Sequence, residues 1–146
     1  MSQHDLRILL VEDHPFQLKA TQCLLQSFGA TCLATATNAK DALAQLEQAS
    51  SPVDLLICDQ CLPDLPGLDL ISVAHHQGMI RQAILLSSLT TRELEALEHR
   101  ARVGKLPLLG YLIKPLQQPD FNRLLALLAE QPAAGIPQQS ALERHF

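Results

Sequence analysis

Short apolar runs alternate with segments whose apolar residues recur every three or four positions, almost from the start of the chain. Arg7 to Val11 (RILLV) is branched and apolar, the pattern of a buried strand. PFQLKATQCLLQSFG follows, with Pro15 suited to a first helical turn and Gly29 to the stop. In it Phe16, Ala20, Cys23, Leu24 and Phe28 recur at helical spacing. Thr31 to Ala36 is a weaker strand, and Asn38 can cap a helix from Ala39 to Gln48 with Ala42, Leu43 and Leu46 on one face. DLLICD (Asp54 to Asp59) is the third strand, and Gly67 to about Gln77 the third helix. QAILLS (Gln82 to Ser87) is the fourth strand. The helix TRELEALEHRARV comes next, behind the capping-box spacing of Thr90 and Glu93. PLLGYLI (Pro107 to Ile113) is the fifth strand, and PDFNRLLALLAEQ the last helix, with Pro119 near its start.

Five strand–helix units with continuously apolar strands predict an α/β fold: a doubly wound, five-stranded parallel sheet covered on both faces. There is no internal repeat. After about Gln131 the composition shifts to QPAAGIPQQSALERHF, which is Pro-containing and poor in apolar residues. The expected division is one domain over 1–130 and a tail or linker over 131–146.

Composition narrows the field. A chain of 146 residues with 47% hydrophobic and 18% charged residues is globular and long enough to bury a core without disulfides or metal. A formal net charge of -4 argues against a nucleic-acid surface. No run approaches the length of a membrane span, and MSQHDLRILLVED lacks the marks of a signal peptide. A cytoplasmic location is therefore expected, with Cys23, Cys32, Cys58 and Cys61 as reduced thiols.

In open parallel sheets ligands bind beyond the C-terminal ends of the strands. Here those ends carry Glu12 and Asp13, then Asp59, then Ser87 and Ser88, then Lys114-Pro115. Three carboxylates in one pocket repel one another unless a cation joins them, and an all-oxygen donor set suits Mg²⁺. Such a metal lets an anionic phosphoryl group approach an anionic nucleophile, with the lysine and a serine hydroxyl cradling its oxygens.

The motifs LLVEDHP, LLICDQCLPDLPGLDLI, ILLSS and GYLIKPL, in this order on a fivefold βα pattern, resemble the response regulator receiver domains of two-component signalling. The match covers roughly Leu6 to Glu130, and Pro63 and Gly67 fall where receivers usually carry Pro and Gly. The resemblance implies a flavodoxin-like fold in which Asp59 accepts a phosphoryl group from a sensor histidine kinase or a phosphotransfer protein. Glu12, Asp13, Asp59 and the Cys61 backbone carbonyl would hold Mg²⁺, and Ser87 and Lys114 would bind phosphoryl oxygens. Tyr111 occupies the aromatic switch position beside Ser87, and the Lys114-Pro115 bond is typically cis in such domains. The implied protein is a switch and not an enzyme beyond its own phosphorylation and dephosphorylation. Cys61 and Leu89, each two residues past a site residue, flank the path of the attacking water and offer it little, so a long-lived phosphoryl group is expected.

Other readings compete. A receiver-fold scaffold without a switch would not need the acidic pair, Asp59 and Lys114 together. An aspartate-nucleophile phosphatase usually presents Asp-x-Asp, and here Asp59 is followed by Gln60 and Cys61. Cys58-x-x-Cys61 lacks the helix N-terminus of a redox pair and the second pair of a zinc site. His75 and His76 read as a solvated helix face. The 27 residues from Ser87 to Lys114 exceed the family's usual spacing, which predicts an extended fourth helix or exit loop. That helix and the fifth strand are where a homodimer is expected. The long fourth segment followed by LLGYLIKPL is similar to receivers joined to cyclic-di-GMP phosphodiesterase domains. No DNA-binding segment is recognisable after Glu130, and no direct nucleic-acid contact is expected.

Overall fold

The computed structural model describes residues 6–88 and 90–129. Leu89, the outer ends of the 1–130 domain and the 131–146 tail lie outside the described residues. The strands are β1 (Arg7–Val11), β2 (Cys32–Ala36), β3 (Val53–Asp59), β4 (Ile80–Ser87) and β5 (Leu108–Ile113). The helices are α1 (Pro15–Ser27), α2 (Ala39–Gln48), α3 (Gly67–His76), α4 (Thr91–Val103) and α5 (Gln118–Ala129). All strands pair in parallel in the order β2-β1-β3-β4-β5, so β3 is central and β2 and β5 are edges. Every residue of β3 is buried, whereas edge strand β2 buries only Ala36 fully, matching its weaker pattern.

Strand side chains alternate between two cores. Leu9, Val11, Leu56, Cys58, Ala83 and Leu85 face α2, α3 and α4. Ile8, Leu10, Leu55, Ile57, Ile84, Leu86 and Leu112 face α1 and α5. Local caps form as expected. Asn38 Oδ1 accepts from the Asp41 amide at 2.7 Å, and Thr90 and Glu93 close a full capping box on α4. β3 and β4 begin one and two residues earlier than expected.

The face of α1 is a correction. Phe16 is 77% exposed, and Ala20 and Cys23 are exposed too. Thr21 and Leu25 are buried instead, with Leu18, Leu24 and Phe28 packed against the core. Leu18, Thr21, Leu25 and Phe28 form an equally good helical stripe, about one residue round the helix. The apolar content of the two stripes does not separate them, since the chosen one buries Thr21 and leaves Phe16 out; the fit of the helix to the sheet decides.

The long segment before Lys114 resolves into three parts. α4 has 13 residues, the exit from Gly104 to Pro107 includes Lys105 at φ 55, and β5 carries a register irregularity opposite Ala83 and Ile84. There Ala83 pairs with Leu108 and Ile84 with Gly110, so one extra residue enters the edge strand.

Candidate functional site

β1 and β3 end side by side, and their register places Val11 against Cys58. Glu12 and Asp13 therefore leave the sheet beside Asp59. Ligand oxygens of Glu12, Asp13 and Asp59 lie within 4.8 Å of one another, with Glu12 and Asp59 buried and Asp13 exposed. The opposite charge arrives from β5. Lys114 Nζ donates to Asp59 Oδ2 at 2.7 Å and to Glu12 Oε1 at 2.9 Å. It also donates to Gln17 Oε1, at 3.0 Å. The Lys114-Pro115 peptide bond is cis. β4 is tied to this corner because the Lys114 amide donates to the Ser87 carbonyl at 3.1 Å. Ser87 is buried at the tip of β4, and its neighbour Ser88 is exposed.

The remaining carboxylate oxygens are held by backbone. Glu12 Oε2 accepts from the His14 amide at 3.3 Å, and Asp59 Oδ1 from the Cys61 amide at 3.2 Å. Burial, joined by the negative charge of Asp59, raises the Glu12 carboxyl above its ordinary value; the bonds from Lys114 and His14 only partly offset this. For Lys114, burial pulls downward, but hydrogen bonds and attraction from Asp59 and Glu12 outweigh it, and the ammonium is held above its usual range. Three carboxylates against one ammonium leave two negative charges in excess when all are ionised. That surplus and the all-oxygen donor set fit a divalent hard cation such as Mg²⁺.

The loop after Asp59 is pinned at three places. The Gly67 amide donates to the Gln60 carbonyl at 2.9 Å, and Gln60 Oε1 accepts from the Leu68 amide at 2.9 Å. A Cβ on Gly67 would run into the Asp59 carbonyl oxygen, so glycine is required by close backbone approach. Further along, the two Asp64 oxygens accept from the Ala39 and Lys40 amides at 3.0 and 2.9 Å, at the N-terminus of α2. These bonds lower the Asp64 carboxyl below its ordinary value. Cys58 is buried with its thiol pushed far up by burial, while Cys61 is exposed. His76 Nδ1 lies 2.7 Å from the Ser72 carbonyl on the exposed side of α3.

The expected cluster of Glu12, Asp13, Asp59 and Lys114 thus comes together, with Ser87 tied in through its carbonyl. Tyr111 pairs in register with Leu85, two residues before Ser87, and packs half-buried against the core that faces α4. Sequence reasoning missed Gln17, Gln60 and Asp64. Gln17 carries one legible signal, its place in the first turn of the helix that follows the acidic pair. Asp64 bonds across the fold to α2 and leaves no local mark, and Gln60 bonds eight residues on, to the amide of Leu68.

This fold, with acidic groups and a lysine at its strand ends, is that of a receiver-type domain. A family model described as the response regulator receiver domain matches residues 8–126, and the chain belongs to that family. It is 30% identical over 130 residues to the cyclic di-GMP phosphodiesterase RocR of Pseudomonas aeruginosa, covering 89% of this chain and 32% of RocR. It is 24% identical over 125 residues to the two-component response regulator ORR1 of rice (Oryza sativa subsp. japonica), covering 81% of this chain and 53% of ORR1. The chain therefore spans about a third of one relative and about half of the other. Among solved structures, a CheY-like response regulator receiver domain protein from Methanospirillum hungatei JF-1 superposes with a TM-score of 0.67 at 26% identity, over 86% of this chain and 94% of that one. No helix among the described residues is long and apolar enough to cross a membrane.

Proposed function

We propose that the chain is a phosphorylation-controlled switch acting in the cytoplasm, with Asp59 as phosphoacceptor for a sensor histidine kinase or a phosphotransfer protein. The observation that carries this is the Asp59 carboxylate at a buried strand tip, bonded at 2.7 Å to Lys114 and flanked by Glu12 and Asp13. In the transfer, an Asp59 oxygen bonds to phosphorus as the phosphorus–nitrogen bond of the donor histidine breaks, and the imidazole leaves with its electron pair and takes up a proton. Mg²⁺, held by Glu12, Asp13, Asp59 and the Cys61 backbone carbonyl, would neutralise the charge that the meeting anions create. Lys114 donates to one phosphoryl oxygen and the Ser87 hydroxyl to another.

The switch lies along β4 and β5. As Ser87 turns toward the phosphoryl group, Tyr111 moves inward, and the surface of α4 and β5 changes. Val103, Ile113 and Leu127 are exposed large apolar side chains on α4, β5 and α5, and they support a dimer or partner surface there. The chain catalyses nothing beyond its own phosphorylation and dephosphorylation in this reading, and residues 1–130 form the working domain.

Incubation with acetyl phosphate and Mg²⁺ tests the reading by intact mass. One phosphoryl adduct is expected in the wild type and none in Asp59→Asn. Asp13→Asn should lower Mg²⁺ affinity and phosphorylation together. No wild-type adduct would leave a scaffold without a switch. A second reading, that the switch governs cyclic di-GMP turnover, is supported by the likeness to RocR. Cellular cyclic di-GMP that is unchanged by Asp59→Asn would set it aside.

A further inference from the structure

The Lys114 ammonium has three protons, and the structure supplies three oxygen acceptors: Asp59 Oδ2 at 2.7 Å, Glu12 Oε1 at 2.9 Å and Gln17 Oε1 at 3.0 Å. None of the three protons is left over for an incoming group. If Lys114 is to hold a phosphoryl oxygen, one acceptor must let go. The three are not equivalent. As the group approaches, while Asp59 is still a free carboxylate, bonds to the two carboxylates are charge-assisted and roughly twice as strong as a bond to a neutral amide. Releasing Glu12 would also strand a buried carboxylate. Gln17 is neutral, makes the longest of the three bonds, and sits on an exposed stretch of α1 where water can replace whatever it gives up.

We infer that Gln17 is the displaceable third ligand of Lys114, competing with the phosphoryl group for one ammonium proton. This rests on the reading of Asp59 as phosphoacceptor. Gln17 is then a positioning residue: it saturates the lysine in the resting state and sets how much the phosphoryl group must displace on arrival. A tethered amide competes better than a water drawn from bulk, because its ordering cost is met on folding. Shortening the side chain should therefore favour the phosphoryl group. A carboxylate in its place should oppose it twice over, by binding Lys114 more tightly and by repelling the anion.

The experiment is a titration of the full chain with beryllofluoride in the presence of Mg²⁺, alongside acetyl phosphate kinetics. Gln17→Ala should bind beryllofluoride about two- to tenfold more tightly, and Gln17→Glu should be weakened by at least that factor. For acetyl phosphate, Gln17→Ala should lower the half-saturating concentration and leave the maximal rate unchanged. The ¹⁵N signal of the Lys114 ammonium, followed without beryllofluoride, should broaden in Gln17→Ala as one fixed acceptor is lost. Unchanged or weaker beryllofluoride binding by Gln17→Ala, while the wild type binds normally, overturns the competition alone. A wild type that takes no beryllofluoride, or an Asp59→Asn variant that takes it equally well, overturns the phosphoacceptor reading itself.

Discussion

Glu12 and Lys114 share one environment and answer it with opposite consequences. Lys114 is held above its ordinary 10.5, so it adds stability at every pH below that value and gives it up as pH climbs through the raised one. Glu12 also titrates above its ordinary 4.5, but for a carboxyl this means that the fold prefers the protonated form. Its ionisation on rising pH costs stability, and Lys114 returns part of it. Cys61 stands at the mouth of this pair, exposed, with its amide on Asp59 Oδ1. A thiol is a poor partner for an attacking water, and Leu89 has no polar group at all. The phosphorylated chain should accordingly decay slowly. Cys61→Asn and Leu89→Glu should each shorten its lifetime severalfold, measured as loss of the phosphoryl mass with time. Equal decay in all three proteins would remove these side chains from any control of lifetime.

The first helix and the loop after β3 show how elements carry residues to the site. Rotating α1 onto the Leu18, Thr21 and Leu25 stripe leaves Phe16 in solvent and sets Gln17 at Lys114. The loop is held from both sides, by Gln60 on α3 and Asp64 on α2. Asp64 meets two backbone donors that the start of a helix leaves unsatisfied, as a cap does, but from another element. Because its carboxyl is lowered, this anchor is intact above the ordinary value of 3.8 and is lost as pH falls through the lower, folded value. Protection of the Ala39 and Lys40 amides, as the observed exchange rate relative to the intrinsic rate at each pH, should fall over that acid range, and in Asp64→Ala it should be low already at neutral pH. Phosphorylation of Asp64→Ala should also slow, since the loop bearing Cys61 loses a footing. If exchange at the two amides is the same in both proteins, the bonds do not hold the helix end in solution.

The whole molecule is a sheet with two separate cores, and β3 contributes alternately to both. On the proposed reading a change at Asp59 can reach either face, and the exposed Val103, Ile113 and Leu127 are the reason for testing the side of β5 as the outlet. Beryllofluoride should change the association state of the chain and the exchange protection of the 90–112 segment. An identical mass in solution and identical protection with and without it would place the outlet elsewhere. Much of this architecture was legible because its causes are local. Apolar runs mark the strands, Asn38 and the Thr90–Glu93 pair mark helix starts, and the strand-end residues follow from strand direction. Apart from Gln60, whose partner is eight residues on, what escaped has partners far along the chain. Asp64 bonds 25 and 24 residues back, and Gln17 meets a lysine 97 residues on. The α1 face escaped because two stripes of the same period overlap, and only the sheet's own shape chooses between them.

The Lys114 ammonium closes the site by joining positions 102 and 55 residues earlier in the chain. During synthesis, Glu12, Asp13 and Asp59 emerge long before it does. Until β5 is made, the chain carries these acid groups without the ammonium that bonds two of them, and a domain folds as a unit once its chain is available. On the reading of Asp59 as phosphoacceptor, a chain that ends before β5 should take up no phosphoryl group from acetyl phosphate, because it displays the aspartate without the ammonium that meets it. On that reading β5, made after the other four described strands, acts as a check that the acidic cluster has its ammonium before it is used.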